Sequence, residues 1–434
     1  MVDWMSPWLA AAIPLAGAVA GLGAWSKPRA LKMLALVISM VCFLTLVALS
    51  GSLPGPATGL LVLYLLPVAA FVTLLGQPPH RDNRAAWLAT LLLLGLGLGA
   101  VTSQGGITLI LLALIFVVVG ALIYRYRGMS VSDPWRGIAA CSLGAACATI
   151  SLLAGPRWSP LAFLVVCAVL LPLLPVHGGY VASLTGLPGN LPAFLALLLP
   201  CLGFHALLTL LPDLSETAAQ TLVILATVGA LYGTLKALAQ SRVRSLLAYA
   251  GLVFFSILWW NLAAVRMPGP HTAIYLSSVA VAISGLLLAW YAIQARYGDV
   301  DLRAIRGLAY PMPRFSILLS LLALAAMGLP PFGVFSGFMG MLLAPSLPLS
   351  GALIAIIAAW LADSWYFLDL VQRLMFGPQR QDFRYEDLRR SEFAALLMFV
   401  VLLLALGLVP PRVLDAGSPT AQLGAGTERL SWNR

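Results

Sequence analysis

Long apolar runs separated by short polar punctuation make up nearly the whole chain. Fourteen of these runs approach or exceed the roughly 17–25 residues that a helix needs to cross a bilayer. They predict helical segments at 8–25, 33–51, 59–76, 85–102, 106–124, 137–154, 159–180, 193–211, 218–240, 246–264, 271–295, 315–344, 351–376 and 392–410. The punctuation alternates in charge. Odd-numbered loops, which include Lys27, Lys32, Arg136, Arg242, Arg244, Arg296, Arg314 and Arg389, hold 19 of the 25 basic residues. Even-numbered loops and the tail hold Arg157, Arg266, Arg412, Arg429 and Arg434. Because cytoplasmic loops collect Lys and Arg, odd loops are predicted inside and both termini outside, in a multi-pass inner (cytoplasmic) membrane protein. One missed or invented helix would invert every later loop and spoil this segregation. The opening "MVDWMSPW" lacks the positive start of a cleavable signal, so the first helix is expected to be retained.

Two of the runs are interrupted. Segment 7 reads "LLPLLPVHGGYVASL", with Pro172, Pro175, Gly178 and Gly179, and segment 12 reads "AAMGLPPFGVFSGF", with Gly328, Pro330, Pro331, Gly333 and Gly337. Proline removes a backbone donor and clashes with the preceding turn, while clustered glycine lets the chain leave helical geometry. The carbonyls so freed cannot face lipid and must be buried in protein or line a hydrated cavity. The breaks lie five segments apart, an odd number, so segments 4–8 and 9–13 are expected to form two five-helix repeats of opposite orientation. Matching broken helices in inverted repeats point to an ion or substrate path between the repeats. The expected layout is one transmembrane domain over 1–434: segments 1–3 within 1–84, a first repeat at 85–211, a second at 218–376, a last helix at 392–410 and a polar tail at 411–434.

Composition agrees. The chain is 61% hydrophobic and 9% charged, whereas soluble domains carry about 25% charged residues. Its net charge of +10 is spread singly and in pairs between apolar runs, a topology signal rather than a nucleic-acid patch. Cys42, Cys141, Cys147, Cys167 and Cys201 fall inside apolar runs without metal-ligand spacing and read as small apolar helix residues. No phosphate loop, haem-attachment motif or nucleophile elbow is present, so neither a cofactor, a metal site nor a catalytic site of the chain's own is expected.

Three stretches carry a family resemblance. "ALAQSRVRSLLAYAGL" (237–252), with Gln240, Arg242, Arg244 and Tyr249, is similar to an A-L-x-Q-x-D-x-K-R-x-L-A-Y-S segment. "PLLPVHGGY" resembles a P-x-x-P-x-H-x-W-L break, and "GLPPFGVFSGF" a G-x-P-P-x-x-G-F-x-S-K-F break. Order and placement match the antiporter-like membrane subunits of respiratory complex I, shared with Mrp-type cation/proton antiporters and membrane-bound hydrogenases. The resemblance implies a fourteen-helix fold and a proton route through a glutamate on helix 5, lysines on helices 7 and 8, and a lysine or glutamate on helix 12. This chain lacks them. No acidic residue occurs between Arg84 and Asp133, the helix 7 position falls near Leu170, helix 8 offers only His205, and the helix 12 position falls near Gly337. Arg242 and Arg244 replace the Asp and Lys of the helix 9 motif, and arginine does not deprotonate to relay a proton.

The remaining ion-path candidates are His177, Asp363, Lys236, His205 and Asp369. Asp363 lies mid-segment in "AAWLADSWYFLDLVQRL", where a carboxylate is costly and by default functional; the competing reading is a hydrogen-bonded side chain near Ser364 or Trp360. Asp369 and Arg373 are spaced as a helix-surface pair. Lys236 is placed to snorkel. His177, at the break, titrates near neutral pH or simply packs; His205 is the weaker histidine. The inside loop "FGPQRQDFRYEDLRR" (376–390) reads as solvated or as a docking surface.

Three functions follow. The first is an ion- (proton-) translocating membrane subunit of a complex I/Mrp/hydrogenase-type assembly with an altered path, serving a membrane oxidoreductase. The second is a non-conducting scaffold of such an assembly. The third is the membrane subunit of an inorganic-carbon uptake complex with a soluble zinc partner. Expected partners are other membrane subunits, homologous siblings among them, a soluble cytoplasmic module, and lipid, with Arg242 and Arg244 on headgroups or a partner; nucleic acid is excluded.

Overall fold

In the computed structural model the described residues are 8–49, 57–129, 133–155, 159–266, 268–298, 302, 305–343, 350–377 and 386–409. The polar tail 411–434, residues 378–385 of the long inside loop, Arg157 and Arg303 lie outside them. The described residues form α-helices joined by short loops and three 3-10 turns, with no strand among them. In order the helices are α1 (Trp8–Gly23), α2 (Pro28–Ala48), α3 (Ala57–Leu75), α4 (Arg84–Thr102), α5 (Gly106–Arg125), α6 (Pro134–Leu153), α7 (Ser159–Leu170) and α8 (Gly178–Gly186). There follow α9 (Leu191–Leu210), α10 (Glu216–Leu238), α11 (Val243–Val265), α12 (Pro270–Tyr297), α13 (Pro313–Ala326), α14 (Gly333–Leu342), α15 (Gly351–Met375) and α16 (Arg390–Leu408).

The chain is thus an all-α polytopic membrane protein. Ten of these helices are long and apolar enough to cross a membrane, and five shorter ones are also apolar. Each predicted segment coincides with one helix, except 159–180 and 315–344, which divide into α7/α8 and α13/α14. Five of the starts differ from the sequence reading for one reason. Pro28, Pro134, Pro192, Pro270 and Pro313 all sit in first turns, where the missing N–H is unneeded, so the helices begin in the polar flank before the apolar run. Asp133 caps α6 by accepting from the Trp135 N–H at 3.1 Å.

Helices α11 and α12 are the centre of the bundle, buried along almost their entire length. α9 packs on α12, and α7 and α8 pack on α9. α13, α14 and α16 surround the far side of α12, while α15 spans α10 and α13. Around this core, α2, α5, α6, α10, α15 and α16 expose apolar side chains such as Leu44, Val117, Leu153, Leu235, Ile354 and Val401. Exposed apolar faces on a protein of this composition suit a membrane interior or another membrane subunit rather than water. All five cysteines are unpaired and buried.

Candidate functional site

At the first break α7 stops at Leu170. The Leu171 N–H still reaches the Cys167 carbonyl (2.8 Å), but the Leu173 N–H skips back five residues to Ala168 (3.1 Å). The freed Leu171 carbonyl accepts from the Trp259 indole N–H of α11 at 3.0 Å. On α9, Gly203 lies so close that a Cβ there would sit 2.5 Å from the Leu171 nitrogen. That freed carbonyl is therefore satisfied by protein, as hydrocarbon surroundings demand. Its peptide Leu174–Pro175 is cis.

His177 stands at the start of α8, half-buried, with Tyr232 edge-on to its ring at 5.7 Å and Tyr249 tilted against it at 6.5 Å between centroids. The two tyrosines meet each other at 6.3 Å. These three rings, with Asp133 and Arg136, border a cavity of about 530 Å³. The Nδ1 of His177 is buried and lacks a partner of hydrogen-bond geometry. Tyr249, quoted in the sequence only as part of an inside-loop motif, proves to belong to the His177 site.

The second break repeats the first. α13 stops at Ala326, the Met327 N–H reaches Ala323 (2.8 Å), and the Leu329 N–H skips back to Leu324 (3.2 Å). Each of these bonds lies 156 residues beyond its counterpart (327 − 171, 329 − 173). Pro330–Pro331 is cis. Gly328 takes a left-handed conformation (φ +71°), and a Cβ there would enter the Trp360 ring at 2.1 Å. Gly337 presses α14 onto α12, where a Cβ would come within 2.6 Å of the Tyr275 backbone. Trp360 stacks flat on Phe338 of α14, with centroids 3.6 Å apart.

One turn after Trp360, Asp363 projects into the bundle and is 1% exposed. Tyr366 donates its hydroxyl to one carboxylate oxygen, while Oδ2 has no partner. The Tyr275 hydroxyl lies within electrostatic range of this carboxylate and donates to the Phe254 carbonyl at 3.3 Å. Neither Ser364 nor Trp360 is the partner; the i,i+3 tyrosine is. His177 and Asp363 do not share a constellation, since no hydrogen bond or ring contact among the described residues joins them. They lie toward opposite sides of α11, whose adjacent Phe255 and Phe254 meet Tyr180 of α8 and Trp360 of α15.

The other predicted residues scatter. Lys236 is exposed on α10, its ammonium 5.8 Å over Tyr232, which attaches it loosely to the His177 cluster. Gln240 donates back to the Lys236 carbonyl at 3.1 Å. His205 is half-buried and borders a cavity of about 810 Å³ with Thr102, Ser103, Ser151 and Thr209. Asp369 and Arg373 form the expected local pair at 2.7 Å, both partly exposed.

The arginines of the "SRVRS" turn divide between two tasks. Arg242 is the exposed residue preceding α11. Arg244 reaches inward and donates to the carbonyls of Leu184 (2.8 Å) and Leu187 (2.5 Å) at the end of α8. A cation at a helix C-terminus satisfies orphan carbonyls and complements the macrodipole. Arg244→Met is expected to lower the melting temperature in detergent, by the equivalent of about 1.5–3 kcal/mol for hydrogen bonds to a charged group.

Two buried charges escaped the sequence reading. Lys32, counted there as a loop cation, is 8% exposed and donates to the Leu75 carbonyl (3.2 Å) and to that of Gln77, ending α3 as Arg244 ends α8. Glu392 opens α16 and pairs with Arg296 at 2.6 Å, with side chains 4% and 8% exposed. The available signal was positional: Glu392 is an acidic residue at the first position of a predicted helical segment, where the macrodipole favours it.

The comparisons with known proteins come to the same place. Residues 109–362 match the family model "NADH:quinone oxidoreductase/Mrp antiporter, TM". The NADH-quinone oxidoreductase subunit M of Pseudomonas aeruginosa is 27% identical over 285 residues, 62% of this chain and 55% of that protein. The subunit M of Rickettsia typhi is 25% identical over 256 residues, 57% of this chain and 52% of that protein. The chain thus spans about half the length of the curated relatives it matches. In fold it resembles a chain of respiratory complex I from Thermus thermophilus (TM-score 0.78, 22% identity, 95% of this chain and 97% of that one). It also resembles a chain of the Mrp complex from Dietzia sp. (TM-score 0.76, 16% identity, 96% of each). The chain belongs to the NADH:quinone oxidoreductase/Mrp antiporter transmembrane family.

Proposed function

We propose that this chain is a membrane subunit of a multisubunit, ion-translocating complex of the complex I/Mrp type, with a proton path unlike the family's. The observation that carries this reading is Asp363, a fully enclosed carboxylate with one oxygen unpartnered, one turn from the Trp360 that packs on the second helix break. A buried ionisable group inside a membrane bundle is retained at a cost and marks a pathway by default. His177, beside the first break and against a cavity, is the second titratable element. The hydrogen-bond pattern repeated at a spacing of 156 residues supports two inverted five-helix units, 85–211 and 218–376, within one fourteen-crossing domain. With the basic loops inside, both termini lie outside an inner (cytoplasmic) membrane. The partners are other membrane subunits, homologous siblings among them, and a soluble module on the basic side.

A scaffold role is the second reading, favoured by the uncharged Leu170 and Gly337 at the positions where the resemblance implies carriers, and by the separation of His177 from Asp363. Proton flux through the complex purified from its own membrane and reconstituted in vesicles decides between them. Asp363→Asn keeps the shape and the Tyr366 contact but removes the titration, and it is expected to lower flux at least tenfold. Flux unchanged by Asp363→Asn and His177→Ala together leaves the scaffold reading standing.

A further inference from the structure

Asp363 sits at the midpoint of α15 (Gly351–Met375), about 18 Å from either end at 1.5 Å per residue. The two halves of this helix differ. The first, "GALIAIIAAWLA" (351–362), carries no charged or hydroxyl side chain. The second, "DSWYFLDLVQRLM" (363–375), runs toward the basic side and adds Ser364, Tyr366, Asp369, Gln372 and Arg373 to Asp363.

Against that second half lies a cavity of about 190 Å³. Tyr366, Asp369 and Arg373 contribute one wall, and Gln240 and Ser241, from the turn after α10, contribute another. Its rim meets solvent, since Ser241 is exposed and the paired Asp369 and Arg373 side chains are 40% and 43% exposed. Tyr366, by contrast, is only 2% exposed, and its hydroxyl donates to Asp363. Tyr366 therefore touches both the cavity and the enclosed carboxylate. Asp363 lies six residues deeper than Asp369, about 9 Å along the helix. At about 30 Å³ per water, the cavity has room for several waters toward that distance.

We propose that this cavity is the mouth through which protons pass between the basic side and Asp363. Tyr366 carries the exchange. Its phenol gives a proton to the Asp363 carboxylate while its oxygen takes one from water in the cavity. This rests on the reading of Asp363 as a conducting group and assigns that group the side from which it is reached.

The test uses the complex in its own membrane. All five native cysteines of this chain are buried, so Ser241→Cys adds a reactive thiol at the rim. Inverted vesicles, with the basic side outward, are treated with a membrane-impermeant cationic methanethiosulfonate. The complex is then purified, reconstituted and assayed for proton flux. Labelled Ser241→Cys is expected to conduct about tenfold more slowly than the same variant unlabelled, because a fixed cation in a confined cavity repels protons. Labelled Arg29→Cys, at an exposed position away from the cavity, is expected to keep its flux. Tyr366→Phe, which keeps the ring and loses the hydroxyl, is expected to lose flux to a similar extent.

The mouth and the conducting group fail separately. If Asp363→Asn lowers flux but labelled Ser241→Cys or Tyr366→Phe does not, Asp363 conducts by another opening and the mouth alone is overturned. If Asp363→Asn leaves flux unchanged, the reading of Asp363 falls and the mouth falls with it. Labelling of Ser241→Cys only in right-side-out vesicles also overturns the proposal.

Discussion

Glu392→Ala is expected to destabilise the protein by about 3–5 kcal/mol, because it leaves a buried arginine without its counter-ion. The pair joins the C-terminal end of α12 to the first turn of α16, and each charge suits the dipole of its own helix. Arg296 also donates to the Ala292 carbonyl at 2.7 Å and the Asp387 carbonyl at 3.2 Å, while Glu392 accepts from the Arg389 N–H at 2.9 Å. None of those neutral partners can replace the lost charge. Denaturation of the detergent-solubilised protein by SDS or heat measures the effect. A double variant, Arg296→Met with Glu392→Leu, is expected to regain much of the loss, since a buried pair replaced by apolar residues of similar volume is often neutral. Equal instability of the single and double variants would contradict an electrostatic origin.

Gly407→Val is the second large effect. A Cβ at 407 would lie 2.0 Å from the Pro331 carbonyl oxygen and 2.6 Å from the Phe332 carbonyl carbon. Both neighbours are backbone, inside the second break, so no rotamer change relieves the contact. Overpacking where side chains can move costs about 1–3 kcal/mol; here α16 must separate from the break, and the loss is expected at or above the top of that range. Gly351→Ala provides the control, because nothing lies within 4 Å of its added methyl. Falling yield and melting temperature for Gly407→Val, with Gly351→Ala unchanged, would place the close approach at α16. Unchanged behaviour of both would mean that the helix and the break are not in contact.

Much of the architecture was legible in the sequence because lipid makes it so. A bilayer turns hydrophobic run length into helix length, and the prolines and glycines of segments 7 and 12 mark the breaks without tertiary information. The site was less legible. Asp363 stood out as a lone carboxylate in an apolar run, but the partners expected for it were Ser364 and Trp360, and Tyr366 emerged only once side-chain direction was known. The grouping of His177 with Tyr232 and Tyr249 joins residues from three helices, which no local spacing encodes. Glu392 and Arg296 sit at helix ends 96 positions apart, and charges at predicted ends read as loop residues unless their partners are visible.

Lys32, Arg244 and Arg296 have a bearing on how such a chain diverges. On the proposed topology each is at once an orientation signal, sensed while the protein enters the membrane, and a donor to helix carbonyls once it has folded. An orientation signal tolerates relocation along its loop, because the rule counts charges and not positions. A donor held at hydrogen-bond distance from particular oxygens tolerates none. Drift is therefore expected to move exposed cations such as Arg29 and Arg81 freely between neighbouring sites while the other three stay fixed, so lineages of this chain would share immobile cations within a shifting charge bias.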